Sequence, residues 1–136
     1  MIKFKHNDGG RSIYFGKRET GDCVVRAIAI ATKKHYRDVW HDLLDISKRT
    51  GLLPNEHETY ETYLTKHLGW TKHKCPRRAD GKKYLVRQVH HEQAIILTRG
   101  HLTAMVDGVI NDTFDCGDSY HNRYFTPHKN YEVEKI

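Results

Sequence analysis

The sequence predicts an α+β fold in which a buried helix near the N-terminus, carrying a cysteine, packs on a small antiparallel sheet. Three observations predict it. Residues 23–32, Cys-Val-Val-Arg-Ala-Ile-Ala-Ile-Ala-Thr, are almost wholly apolar and repeat at helical spacing. Two amphipathic helical stretches follow before residue 70. The second half then changes to strand-like runs around Asp107-Gly108, a strong two-residue hairpin signal. With 136 residues and no linker-like composition shift, the chain reads as one domain, 1–136.

Residues 1–19 read as an N-terminal hairpin or extension. Ile2-Lys3-Phe4-Lys5 and Ser12-Ile13-Tyr14-Phe15 are its short strands around Asp8-Gly9-Gly10. Thr20 or Asp22 caps the cysteine helix, and Gly21 permits a sharp entry. Lys33-Lys34 suit its negative end. A second helix runs from Tyr36 to Arg49, with Tyr36, Val39, Trp40, Leu43 and Ile46 on its inner stripe and Gly51 as its stop. Asn55 followed by Glu58 reads as the capping box of a third helix, whose stripe is Tyr60, Tyr63, Leu64 and Leu68 and whose end is Gly69. Both helices are expected on the first. Residues 71–83, with Lys72, Lys74, Arg77, Arg78, Lys82 and Lys83, form a solvated basic loop. Tyr84–Val89 fits a strand or a short helix equally. Ala94-Ile95-Ile96-Leu97-Thr98 is a buried strand, Arg123-Tyr124-Phe125 an added edge strand, and 127–136 a loose tail.

Composition narrows the function classes. Lys and Arg number 23 against 17 Asp and Glu, a net charge of +6, with 11 histidines in addition. Such a surface attracts acidic partners or nucleic acid weakly. No apolar run approaches the length of a membrane span, and no leader is visible, so a cytoplasmic protein without membrane association is expected. Three scattered cysteines exclude a disulfide framework. His73 and Cys75, His90-His91 and Cys116 lack the paired spacing of a tetrahedral zinc site, so neither metal nor cofactor is expected.

Cys23 lies in the first turn of its helix, where unpaired N–H groups and the helix dipole favour a thiolate. The partner lies in the hairpin. If Asp107 and Gly108 are the two turn residues, Val106 pairs with Val109, His101 faces Phe114 and Asp112 faces Thr103. Side-chain alternation then puts His101, Thr103, Asp112 and Phe114 on one face, with Asn111 and Asp115 on the other. Asp112 is therefore the carboxylate placed to orient His101. A slip of one residue would exchange it for Asp115. The candidate catalytic residues are Cys23, His101 and Asp112.

Cysteine on a helix, then histidine and aspartate on adjacent strands, is the chain order of a papain-like cysteine hydrolase. Asn7-Asp8-Gly9-Gly10-Arg11, Gly21-Asp22-Cys23-Val24-Val25-Arg26-Ala27-Ile28-Ala29-Ile30-Ala31-Thr32, Gly69-Trp70, His101-Leu102-Thr103-Ala104 and Asp107-Gly108-Val109-Ile110 through Asp112-Thr113 resemble a family of small papain-like phage and prophage proteins. The likeness spans roughly residues 7–116. It implies a papain-like core with Cys23 as nucleophile, and Asn7 or Asp8 near the site. In papain-like peptidases and double-glycine leader peptidases, a glutamine six residues before the cysteine helps form the oxyanion hole; here that position is Lys17.

Three functions are carried forward. The first is a phage-type cysteine hydrolase cleaving a peptide, isopeptide or amide bond of a peptide or protein substrate through a thioester. The second, which Lys17 favours, is a papain-fold binding protein that inhibits or sequesters a host factor. The third is a nucleic-acid-associated basic protein.

Overall fold

The computed structural model describes residues 3–18 and 20–127. In chain order the elements are β1 (Phe4–His6), α1 (Arg11–Phe15), α2 (Cys23–Thr32), α3 (Tyr36–Thr50), α4 (His57–Thr62), β2 (Thr71–His73), β3 (Gln93–Thr98), β4 (His101–Val106), β5 (Val109–Asp112) and β6 (Tyr124–Thr126). α4 runs directly into a π-helical turn, Tyr63–His67. The strands form one sheet in the order β1-β5-β4-β3-β6-β2. The fold is α+β.

α2 is the centre of the molecule. Val24, Val25, Ala27, Ile28, Ala29 and Ala31 are all buried, so the helix is covered on nearly every side, as its continuous apolar sequence requires. One side packs on the sheet through Ile95, Leu102, Ala104 and Phe125. The stripe Tyr36, Val39, Leu43 and Ile46 of α3 covers another, and Tyr60, Tyr63 and Leu64 complete the same core. α4 itself packs on α3. Fully buried Ile28, Leu43 and Leu64 each contribute about 1.5–3 kcal/mol of transfer free energy. The opposite face of the sheet buries a smaller cluster of Val86, Ala94, Ile96, Met105, Ile110 and Cys116.

The hairpin has the register its turn residues dictate. Val106 pairs with Val109, Met105 with Ile110 and Ala104 with Asn111. Asp107 and Gly108 both have positive φ, 52° and 76°, the signature of the turn that matches strand twist.

Several local expectations need correction. The N-terminal hairpin does not form: β1 adds in parallel to β5, and Ser12–Phe15 falls within a helix. The Asp8 carboxylate accepts the N–H groups of Gly10 (2.9 Å) and Ser12 (3.1 Å), and Asn7 Oδ1 accepts that of Gly9 (2.9 Å). These bonds wind the chain into a helical turn, the usual effect of Asx side chains. Ile2 lies outside the described residues. The sheet is accordingly not wholly antiparallel. The strand near Arg123–Phe125 is not an edge but sits between β3 and β2. The Asn55–Glu58 capping box is absent, because the helix begins two residues later at His57 with Glu56 before it. Tyr84–Val89 resolves into a short 3₁₀ turn at Val86–Gln88. Of the expected tail, only Pro127 lies within the described residues.

Candidate active site

Cys23 is the first residue of α2 and is half-buried. Asp22 precedes it but does not cap the helix with its side chain. Its buried carboxylate is engaged elsewhere, accepting from the Tyr36 hydroxyl (2.6 Å) and from Arg26 Nη1, with Arg11 Nη1 at 3.7 Å. The first-turn N–H groups are thus left to act on the adjacent thiol.

His101 opens β4. Its Nε2–H donates to Asp112 Oδ2 at 2.7 Å, and the Thr103 hydroxyl donates to the same oxygen at 2.7 Å. Asp112 Oδ1 accepts the Thr113 N–H at 2.7 Å and lies 3.5 Å from Arg26 Nη2. With Nε2 committed to the carboxylate, Nδ1 is the ring nitrogen left for another partner. Cys23 stands near enough to the His101 side chain and the Leu102 backbone N–H for both to lower its pKa. Asp115 instead accepts the Gly117 N–H at 2.9 Å.

The electrostatics follow from these contacts. Burial opposes ionisation of Cys23, but the bonds from His101 and Leu102 and the positive charges of His101 and Arg26 outweigh it, lowering its pKa. Burial likewise opposes charge on His101. Asp112, Cys116 and Cys23 stabilise the imidazolium more strongly and raise its pKa far above the usual histidine value. Asp112 is desolvated, yet the His101, Thr103 and Thr113 donors hold its pKa below the ordinary carboxylate value. The charged forms, thiolate, imidazolium and carboxylate, are therefore mutually supporting.

Two neighbours of the site escaped the sequence reading. Arg26 ties Asp22 to Asp112 across the helix–sheet interface while only 8% exposed. Its signal was present: it is the one charged residue within an otherwise apolar helix. Cys116 arrives from the loop after β5, and no local pattern marks it. Its Sγ, a His101 nitrogen and an Asp112 oxygen lie within 4.8 Å of one another, a donor set that pairwise sequence spacing cannot reveal. Within it, His101 Nε2 and Asp112 Oδ2 are 2.7 Å apart, the distance of a hydrogen bond rather than the about 3.3 Å between two tetrahedral zinc ligands.

The other sequence-marked groups are engaged elsewhere. His73 Nε2 bonds the Thr126 hydroxyl at 2.7 Å, Cys75 bonds the His121 carbonyl at 3.0 Å, and His91 bonds His121 at 2.8 Å. In the basic stretch Lys72 pairs with Glu61, Arg78 with Asp80, and Lys83 with Asn122.

Two hollows flank residues 20–22. One is a cleft of about 590 Å³ whose walls include Arg11, Lys17, Arg18, Asp22, Arg26 and Phe114. Phe114, on the wall of this cleft, has its ring 4.7 Å from that of His101. The other, about 160 Å³, is lined mainly by Val24, Val25, Trp40, Leu44 and Pro54. Lys17, at the position of the papain glutamine, is exposed on the first cleft's wall. No helix among the described residues is long and apolar enough to cross a membrane.

No protein-family model, curated protein or solved structure matches this chain.

Proposed function

We propose that this protein is a papain-like cysteine hydrolase acting on a peptide, isopeptide or amide bond, with Cys23 as nucleophile, His101 as acid–base and Asp112 as its orienting carboxylate. One observation carries the reading. A thiol at the N-terminus of a buried helix has its pKa lowered by a neighbouring histidine, and Nε2 of that histidine is fixed 2.7 Å from a buried carboxylate.

The Cys23 thiolate attacks the scissile carbonyl carbon, forming the S–C bond and moving the carbonyl electron pair onto oxygen. The Cys23 backbone N–H, at the helix start and with no backbone partner among the described residues, is a natural donor to that oxyanion, and one such donor is worth about 10²–10³ in rate. Collapse of the intermediate breaks the C–N bond, and the His101 imidazolium gives its proton to the leaving amine. Water, deprotonated by His101, then cleaves the thioester and regenerates the thiol. Asp112 keeps the ring oriented and favours its charged form throughout. The enzyme works without a cofactor, on a peptide or protein substrate.

The test is the rate of iodoacetamide alkylation of Cys23 against pH, in wild type and His101→Ala. An ordinary thiol is half-ionised near pH 8.5, and histidine-paired cysteines at about 3.5–7.5. Wild type should fall in the lower range, and the variant should move upward by a unit or more. A thiol with ordinary reactivity, indifferent to His101, would leave only a binding protein of this fold.

A further inference from the structure

The net charge of the chain sits on one segment. Residues 71–87 hold seven of the 23 Lys and Arg but only one of the 17 Asp and Glu, a surplus equal to the +6 of the whole sequence, so elsewhere the signs cancel. The segment begins in the edge strand β2 and closes into a tight loop. Arg77 bridges to Lys83, the Arg78 N–H donates to the Lys82 carbonyl at 2.8 Å, and the Gly81 N–H to the Arg78 carbonyl at 2.9 Å. Its single acid, Asp80, is engaged within the loop, accepting the Lys82 N–H at 3.0 Å and pairing with Arg78 at 3.1 Å. Lys83 is tied to the Asn122 side chain and Cys75 to the His121 carbonyl, which brace the loop against the 119–122 segment. Lys74, Arg77 and Lys82 are exposed and have no carboxylate partner among the described residues. A second observation adds an aromatic ring. Tyr120, bridged to Leu85, is 60% exposed. Like charges crowded on a fixed loop repel one another, so the crowding serves no folding purpose.

We propose that this loop is a docking surface for single-stranded nucleic acid, with Lys74, Arg77 and Lys82 on phosphates and Tyr120 stacked on an unpaired base. Phosphates supply the negative charge that the loop lacks. Every base offers a π-face on which an exposed tyrosine can stack without reading sequence. An acidic peptide would answer the cations but leave the ring unused. The inference stands whether or not Cys23 is a nucleophile, because none of these residues belongs to the site of Cys23, His101 and Asp112.

Fluorescence anisotropy of the full chain with a labelled, mixed-sequence DNA strand of about 20 nucleotides, measured against salt, tests this. Three phosphate contacts predict that log K falls with log salt at a slope of about −2. Lys74→Ala/Arg77→Ala/Lys82→Ala should remove most of that slope and weaken binding at least about tenfold near 50 mM salt. Lys48→Ala/Arg49→Ala/Lys66→Ala takes three exposed cations from α3 and the π-helical turn. It makes the same change in net charge and should keep the slope, with affinity within about threefold of wild type. Tyr120→Ala should weaken binding about five- to 100-fold, and Tyr120→Phe should not. Circular dichroism and the Cys23 alkylation rate should match wild type in every variant, so that loss of binding is not loss of fold. Equal losses in the two triple variants, or none in the first, would overturn the proposal. So would a silent Tyr120→Ala. Tighter binding to poly-glutamate of equal charge would overturn it in favour of an acidic protein partner.

Discussion

Asp112→Asn changes one atom of the site, yet every neighbour of that carboxylate argues against its being neutral. Oδ2 receives the His101 Nε2–H and the Thr103 hydroxyl, and Oδ1 the Thr113 N–H, with Arg26 Nη2 nearby. All four are donors, as an acceptor-only carboxylate requires. An asparagine must turn its own NH₂ toward one pair of them. Facing Thr113 and Arg26, it leaves two buried donors unmet at a residue only 3% exposed, costing about 1–3 kcal/mol of stability. Facing His101, it drives the proton to Nδ1, the nitrogen that should receive the thiol proton. Either way the charge-assisted bond to the imidazolium is lost. A bond of that kind is worth about 1.5–3 kcal/mol, or roughly 10–150-fold in the population of the ion pair. The half-rate pH of Cys23 alkylation should rise by about one to two units, and the urea midpoint should fall. Asp115→Asn retains the oxygen that accepts Gly117 and should do neither. A wild-type alkylation profile in Asp112→Asn would refute the orienting role, and with it the hydrolase mechanism.

Other expectations are simpler to measure. Cys116→Ala should leave one fast-reacting thiol, with the Cys23 rate within about threefold of wild type, as counted by mass spectrometry after brief alkylation; Cys116 is only 4% exposed. Gly108→Ala should destabilise by about 1–3 kcal/mol in thermal unfolding, because φ is +76° and a Cβ would sit 2.3 Å from His90 Nδ1. Acid should unfold the protein partly through its buried histidine pair. His121 Nδ1–H donates to the Asn122 carbonyl, so its Nε2 accepts from His91, and His91 Nδ1 has no partner among the described residues. Burial depresses both pKa values, to about 3 for His91 and about 4 for His121. The unfolded chain therefore binds more protons below about pH 6.5, and stability falls as pH drops from there toward 4, by about 1.4 kcal/mol per unit for each histidine. Urea midpoints at pH 7 and 5 should show that fall, reduced in His91→Phe.

What could be read from the sequence was whatever a short stretch dictates alone. The α2 pattern is apolar on every side and has no use except as a central helix. The Asp107-Gly108 turn fixes the strand register, and the register alone selects Asp112 over Asp115. The misreadings lie where a side chain found a partner that local pattern does not name. Asp22 is the cap residue by position, but Arg26 and Tyr36 hold its carboxylate. Asp8 and Asn7 satisfy backbone donors and wind residues 11–15 into a helix where alternation suggested a strand. β1 reaches the sheet only by pairing with β5, more than a hundred residues away in sequence. Cys116 joins His101 through a loop that has no periodicity to read.

The buried charges around Arg26 show why the site's geometry depends on tertiary contacts. A helix as apolar as α2 is held on a sheet by packing, which tolerates rotation and sliding of a few tenths of an ångström. A hydrogen-bonded thiol and imidazole do not tolerate that. Arg26 lies one turn beyond Cys23 and bonds Asp22 on its own helix while reaching Asp112 on β5. It thus joins the helix that carries Cys23 to the carboxylate that holds His101. Removing such a cation leaves Asp112 to His101, Thr103 and Thr113, and Asp22 to Tyr36 and Arg11, and strips each of one buried charge-assisted contact. A well-packed apolar residue would make a comparable interface without that vulnerability, so stability alone does not explain an arginine here. Directional bonds that fix one rotation of α2 against β5 do explain it, because that rotation sets where the Cys23 sulfur meets the His101 ring.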